Sequence, residues 1–207
     1  MIKLNTKYKN FFLVKIFIVS LLIFLKADAS ENKLDKNIIS VGPDTAEVKI
    51  KIFSSLTCPH CASFHINVVS KIKKKYLESG KVQLIFIDFP LDQAAFNASK
   101  LLHCVNKDKR MNFLDAIYKD QEKWTNGSTI EDINKNLQKI VKILGISSEK
   151  FNKCLIDEEI SDKILNGRIE ANKKYSINST PTIVINEKKL KGSANFNNIK
   201  KRIEKII

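Results

Sequence analysis

Val48-Lys49-Ile50-Lys51-Ile52-Phe53, then Ser54-Ser55-Leu56-Thr57, then Cys58-Pro59-His60-Cys61: the reading of this stretch decides the fold. Val48, Ile50 and Ile52 alternate with Lys49 and Lys51, the period of two that marks a strand with one buried face, here from Glu47 to Phe53. Beyond the turn, Cys61, Phe64, Val68, Ile72 and Tyr76 recur at spacings of three and four. That periodicity predicts a helix of about five turns that starts at Pro59 and stops at Gly80. Proline suits a first helical position, where no amide donor is needed. Lys81 to Phe89 follows as a nearly continuous apolar run through Val82, Leu84, Ile85, Phe86 and Ile87, which suits a strand covered on both faces. Strand, helix and strand make a parallel crossover, and the chain is α/β.

Downstream of Pro90 the pattern to about Tyr175 is helical. Ala94, Ala98, Leu101, Leu102 and Val105 form one apolar face, and Phe113, Leu114, Ile117 and Tyr118 another. Ser128 with Glu131 reads as a capping box ahead of a helix that runs through Ile130, Ile133, Leu137, Ile140, Val141 and Leu144 to Gly145. Further helices are read around Phe151 and from Ile160 to Tyr175. Strand character returns at Thr182 to Asn186, with a polar turn over Glu187 to Lys189 and a short return strand over Lys189 to Gly192. Phe196, Ile199, Ile203 and Ile206 give a closing amphipathic helix.

The 207 residues are 43% hydrophobic and 28% charged, with only six Gly and four Pro, so collagen-like and wholly disordered classes are excluded. The net charge of +14 is spread along the chain, and no basic cluster is interleaved with aromatics, so no nucleic-acid partner is expected. At the start, Lys3, Lys7, Lys9 and Lys15 flank and precede the apolar run Ile16 to Leu25, and Ala27-Asp28-Ala29 follows. This is the order of a secretory signal peptide over 1–29, cleaved after Ala29. The apolar run is shorter than the ~20 residues of a membrane-spanning helix. Cleavage would leave Ser30 first and lower the charge to +10, since the leader carries five Lys and one Asp. The polar stretch from Ser30 to about Lys36 reads as disordered.

Cys58-Pro59-His60-Cys61 falls where a strand gives way to a helix. Helix amides and the positive end of the helix dipole favour a thiolate at Cys58, and His60 adds a donor beside it. Two intervening residues let both sulfurs meet across one turn. A stabilised thiolate makes a good leaving group, and a stabilised reduced form makes the disulfide a strong oxidant. Cys61, one turn inside, is expected to be less accessible, so Cys58 is the sulfur a substrate meets.

With these residues the chain resembles the exported DsbA-like thiol:disulfide oxidoreductases. The resemblance rests on Cys58-Pro59-His60-Cys61 after Phe53-Ser54-Ser55, on Asp88-Phe89-Pro90-Leu91, on the helical insertion, and on Ser179-Thr180-Pro181-Thr182, whose proline lies 120 residues after Cys61. It covers about Val48 to Ile207. It implies a thioredoxin fold with a helical insertion between the strand-helix-strand unit and the C-terminal hairpin and helix. The divisions are then 1–29 signal peptide, 30–90 thioredoxin-like part with the active site, 91–175 insertion, and 176–207 thioredoxin-like remainder. The family also implies that Pro181 is cis and packs on the active-site disulfide, that the Thr180 backbone is the edge for a substrate strand, and that no dissociable cofactor is required. Its partners would be unfolded exported proteins and a quinone-linked membrane oxidase of the DsbB type, in the periplasm. Many relatives carry a carboxylate and a basic residue, a buried pair that handles the proton of the inner thiol, where this chain has Ile52 and Ile87.

Rival readings keep the same thiols. A reductase or isomerase would hold Cys58 and Cys61 reduced, and a copper or zinc metallochaperone would add a histidine to them. His65, four residues beyond Cys61, has the spacing for that, and His103 sits beside Cys104, but no metal site is expected. In an oxidising compartment the remaining cysteines, Cys104 and Cys154, are expected to form a structural disulfide. No dimerisation segment is read ahead of the strand-helix-strand unit, so a monomer is expected.

Overall fold

The computed structural model describes residues 39–207. The leader read over 1–29 and the polar stretch to Lys36 lie outside them. Five strands form one sheet: β1 (Ile39–Val41), β2 (Val48–Ser54), β3 (Val82–Asp88), β4 (Thr182–Ile185) and β5 (Lys188–Lys189), in the order β1-β3-β2-β4-β5. Helix α1 occupies residues 59–77 between β2 and β3, which pair in parallel from Val48↔Val82 to Ser54↔Asp88. This is the crossover that the alternating and continuous apolar runs require. β4 pairs antiparallel with β2, Ile52 facing Ile183. Strand β1 has no counterpart in the sequence reading. Its three residues are too few to show a period, and pairing with β3, Ile39↔Phe86, is what makes them a strand.

Helix α1 is α-helical over Pro59–Phe64 and Ser70–Ile72 and π-helical over His65–Val69 and Lys73–Leu77. The reason lies in its apolar spacing. Phe64, Val68, Ile72 and Tyr76 are each four apart, which outruns the 3.6-residue turn, and the wider π turns return them to one face. All four are buried.

The insertion comprises α2 (Gln93–Cys104), α3 (Arg110–Lys119), α4 (Gln121–Thr125), α5 (Ile130–Ile143), α6 (Ser148–Leu155) and α7 (Glu158–Tyr175), and α8 (Phe196–Ile203) closes the chain. Helix α5 is capped by Thr129, whose hydroxyl accepts from the Asp132 amide at 3.1 Å, and not by the Ser128–Glu131 box. Thr129 and Asp132 repeat the same spacing one residue later, and the chain uses that pair. The hairpin also shifts. Asn186 and Glu187 make the turn, at φ 44° and 62°, so that Ile185 pairs Lys188 and Val184 pairs Lys189. A two-residue hairpin turn wants left-handed backbone at both positions, and asparagine adopts it readily.

Alternation along the strands splits the core in two. Ile50, Ile52, Leu84, Phe86, Ile183 and Ile185 join one cluster with α1, α8 and much of the insertion. Phe53 and Val184, on the opposite face, pack with Phe89, Ala171 and Ile177 beside α7.

Candidate active site

The active-site loop starts where β2 ends. Cys58 caps α1 in extended conformation, φ −76° and ψ 118°, with Pro59 as the first helical residue. Its carbonyl accepts from the amides of Cys61 at 3.0 Å and Ala62 at 3.1 Å, the first helical hydrogen bonds. From the insertion, the buried Gln121 side chain donates to Leu56 O at 2.8 Å and to Cys58 O at 3.1 Å. Thr57 donates to Asp92 at 2.6 Å, and the same carboxylate caps α2 by accepting from the Ala95 amide at 2.7 Å. The loop between strand and helix is therefore braced from α2 and α4.

Both thiols are free, and their surroundings differ. Cys58 is partly exposed, and its Sγ lies 3.4 Å from the Thr180 carbonyl. Cys61 is 1% exposed. Burial pushes the Cys61 thiol up to about 12, against the opposing pull of the Thr180 hydroxyl and a Ser55 backbone contact. The Thr180 hydroxyl is itself buried and makes no hydrogen bond of ordinary length, so it acts on Cys61 as a nearby dipole. The Thr180-Pro181 bond is cis. Pro59 and His60 are exposed beside Cys58.

The structure thus brings Cys58, Cys61 and Thr180 together, with Pro181 next in the chain. The other two histidines turn elsewhere. His65 is buried, its Nε2 2.6 Å from Asp115 Oδ1 and its ring 4.8 Å from that of Tyr118. His103 Nε2 lies 2.7 Å from Asp88 Oδ2. Among the described residues no three His, Cys, Asp or Glu side chains gather as a metal site would require. Cys104, the last residue of α2, is joined to Cys154 of α6.

Ile52 and Ile87 do not stand as a replaced pair. Ile52 packs in the cluster shared with Cys61, whereas Ile87 lies against Phe53 and Val184 on the other face of the sheet. Ser54 and Asp88, register partners at the ends of β2 and β3, lie on the Cys61 face as polar residues. The sequence reading gave no site role to those two, to Gln121 or to Tyr118, because residues far apart in the chain carry no shared pattern.

Burial holds the His65 imidazole below its usual value, outweighing Asp115, which pulls the other way. A depressed histidine favours folding least where the unfolded chain can take the proton. Stability should therefore fall as the pH drops below about 6.5, and His65→Gln should flatten that part of the profile. Urea midpoints at pH 7 and pH 5 check this. Equal slopes in both proteins would remove His65 from the account.

A family model described as thioredoxin matches residues 34–205. "Probable disulfide bond formation protein D" of Bacillus anthracis is 31% identical over 170 residues, which is 80% of this chain and 76% of that one. The crystal structure of Wolbachia pipientis alpha-DsbA1 matches with a TM-score of 0.75 at 32% identity, over 83% of this chain and 91% of that one. The chain belongs to the DsbA-like thioredoxin-fold family. BdbD from Bacillus subtilis, 24% identical with a TM-score of 0.67 over 82% of this chain and 92% of its own, shares the fold. As a DsbA-like protein it is an enzyme of dithiol–disulfide exchange.

Proposed function

We propose that this DsbA-like enzyme donates a Cys58–Cys61 disulfide to exported proteins. The asymmetry of the two thiols supports the reading. Cys58 is partly exposed at a helix start, where a substrate can reach it, while Cys61 is buried and holds its proton. A substrate thiolate attacks Cys58, Cys61 departs, and a second substrate thiol resolves the mixed disulfide. The Thr180 carbonyl and Pro181 form the edge along which the substrate strand lies, and Pro59 and His60, exposed beside Cys58, tune its reactivity. The divisions 30–90, 91–175 and 176–207 then carry the thiols, the braces on their loop, and the substrate edge. Residues 1–29 direct export to the periplasm, where a quinone-linked membrane oxidase of the DsbB type reoxidises a monomeric enzyme.

Equilibration of the Cys58–Cys61 pair in glutathione buffers tests the direction of transfer. A potential between about −120 and −180 mV is expected of an oxidant, against about −270 mV for a reductant of thioredoxin type. His60→Ala should move it to more negative values. A wild-type potential near the lower figure would overturn the reading in favour of a reductase.

A further inference from the structure

The buried groups below the thiols have no part in the exchange just described, which itself leaves one requirement unmet. When an incoming thiolate forms its bond to Cys58 Sγ, the Cys58–Cys61 bond breaks and both electrons pass to Cys61 Sγ. That sulfur sits in a site which disfavours its anion, so a proton has to reach it. Cys58, the Thr180 hydroxyl and the Ser55 backbone lie against it, and the Tyr118 phenol, buried in the same cluster, is within electrostatic reach of it. Thr180 Oγ1 has no hydrogen-bond partner from which to recover a proton.

Tyr118 does have a way onward. Its phenol has the Ser54 side chain as hydrogen-bonding neighbour and lies within electrostatic reach of Asp88. Tyr118, Ser54 and Asp88 all line one cavity of about 10 Å³, walled otherwise by apolar groups that include Leu56, Leu102 and Leu114. That volume is at the lower limit for one water, and the three polar side chains supply its partners. Asp88 Oδ1 accepts from Ser99 Oγ at 2.7 Å, and Oδ2 meets His103 Nε2 at 2.7 Å. Arg110 attracts Asp88 and donates to the carbonyls of His103 at 3.0 Å and Val105 at 3.2 Å, which holds the pair in place. At 13% and 11% side-chain exposure, Asp88 and His103 are within reach of solvent. His103 Nδ1 is buried and without a partner. The other titratable neighbours of Tyr118 are Cys58 and His65, the latter facing Asp115 and Lys73.

We propose that Tyr118 hands the proton to Cys61 and is reloaded from the Asp88–His103 pair across the Ser54 cavity. As the sulfur anion forms, the phenol gives it a proton and takes one from the cavity. The cavity is resupplied by the pair, and the pair by solvent. One proton is taken up for each disulfide opened, no electrons move beyond the thiol exchange itself, and the route runs backwards on reoxidation. Burial raises the Tyr118 phenol well above its usual value, so it passes a proton on without resting as an anion.

The inference rests on the exchange at Cys58, and single-turnover opening of the oxidised protein by reduced glutathione separates the two. Wild type failing to open at all would count against the exchange. Given exchange, Tyr118→Phe, which removes one oxygen, and Asp88→Asn, which keeps hydrogen bonding, should each slow opening about ten- to a hundredfold at pH 7. The double variant should be no slower than the worse single one, because both interrupt one route. Corrected for glutathione thiolate, the wild-type rate should be level from pH 6 to 8, while in either variant it should fall as the pH rises and bulk acid becomes the only source. Wild-type rates and profile in Tyr118→Phe, or losses that add, would overturn the proposal. Should Asp88→Asn prove unfolded by circular dichroism, Tyr118→Phe decides alone.

Discussion

Cys58→Ser loses thiol–disulfide exchange by at least about a thousandfold, while Cys61→Ser retains attack and stalls at the mixed disulfide. The two outcomes differ because the sulfurs have different surroundings and, in the proposed exchange, different tasks. Cys58 caps the helix, reaches solvent and faces the Thr180 carbonyl, so in the proposed exchange the bonds to substrate are made there. A serine hydroxyl in its place can neither form a disulfide nor act as a comparable nucleophile near neutral pH. Cys61 is enclosed and, pushed up to about 12, protonated across the working range. Without it Cys58 still captures a disulfide-bearing peptide, and no neighbouring thiol releases it. Mass spectrometry of each variant after incubation with an oxidised peptide should show an adduct on Cys61→Ser alone. In reduced wild type at pH 5, iodoacetamide should label Cys58 and spare Cys61. Equal labelling, or an adduct on the Cys58→Ser protein, would reverse the assignment.

The parts of this arrangement that could be read beforehand are those written in neighbouring residues. Alternation from Val48 to Ile52, the apolar spacing behind Cys61 and the continuous apolar run from Val82 to Ile87 are each local patterns, and such patterns are enough to place β2, α1 and β3. Thr180-Pro181 was legible only through family resemblance, since nothing in a Thr-Pro pair alone puts it beside Cys58. What stayed hidden depends on pairing between distant segments. Ile39 to Val41 is a strand because β3 offers an edge, and the sequence does not mark that edge. Gln121 is one polar residue among many in the insertion until the fold carries it to the carbonyl of Cys58, 63 residues away. Ile52 and Ile87 look like a matched substitution along the chain, yet strand alternation sends them to opposite faces. The same alternation gives Ser54 and Asp88 a common face, which is why the polar groups under Cys61 become apparent only in three dimensions.

Replacing both Cys104 and Cys154 with alanine should lower the melting temperature by about 10 °C or more and leave a folded enzyme. The bond joins the end of α2 to α6 across a separation of 50 residues, with the two Cα atoms 6.2 Å apart. Closing a loop of that size restricts the unfolded chain by about 4 kcal/mol in the chain-entropy model. For a protein of this length each kcal/mol corresponds to roughly 2–4 °C. Packing opposes collapse of the insertion, because Leu101, Leu102, Val141 and Phe151 remain buried in the main cluster around the same site. Alanine is the sharper probe than serine, since Cys154 is 3% exposed and a hydroxyl there would add the cost of an unpaired polar group. In a background with Cys58 and Cys61 changed to serine, purified without reductant and then denatured, Cys104 and Cys154 should resist alkylation until a reductant is added. Immediate labelling of both, or a melting temperature within 2 °C of the parent, would mean that packing alone holds α2 against α6. The bond also adjoins His103, so its loss should disturb the Asp88–His103 pair before it disturbs the Cys58 loop, which Gln121 and Asp92 hold from separate positions.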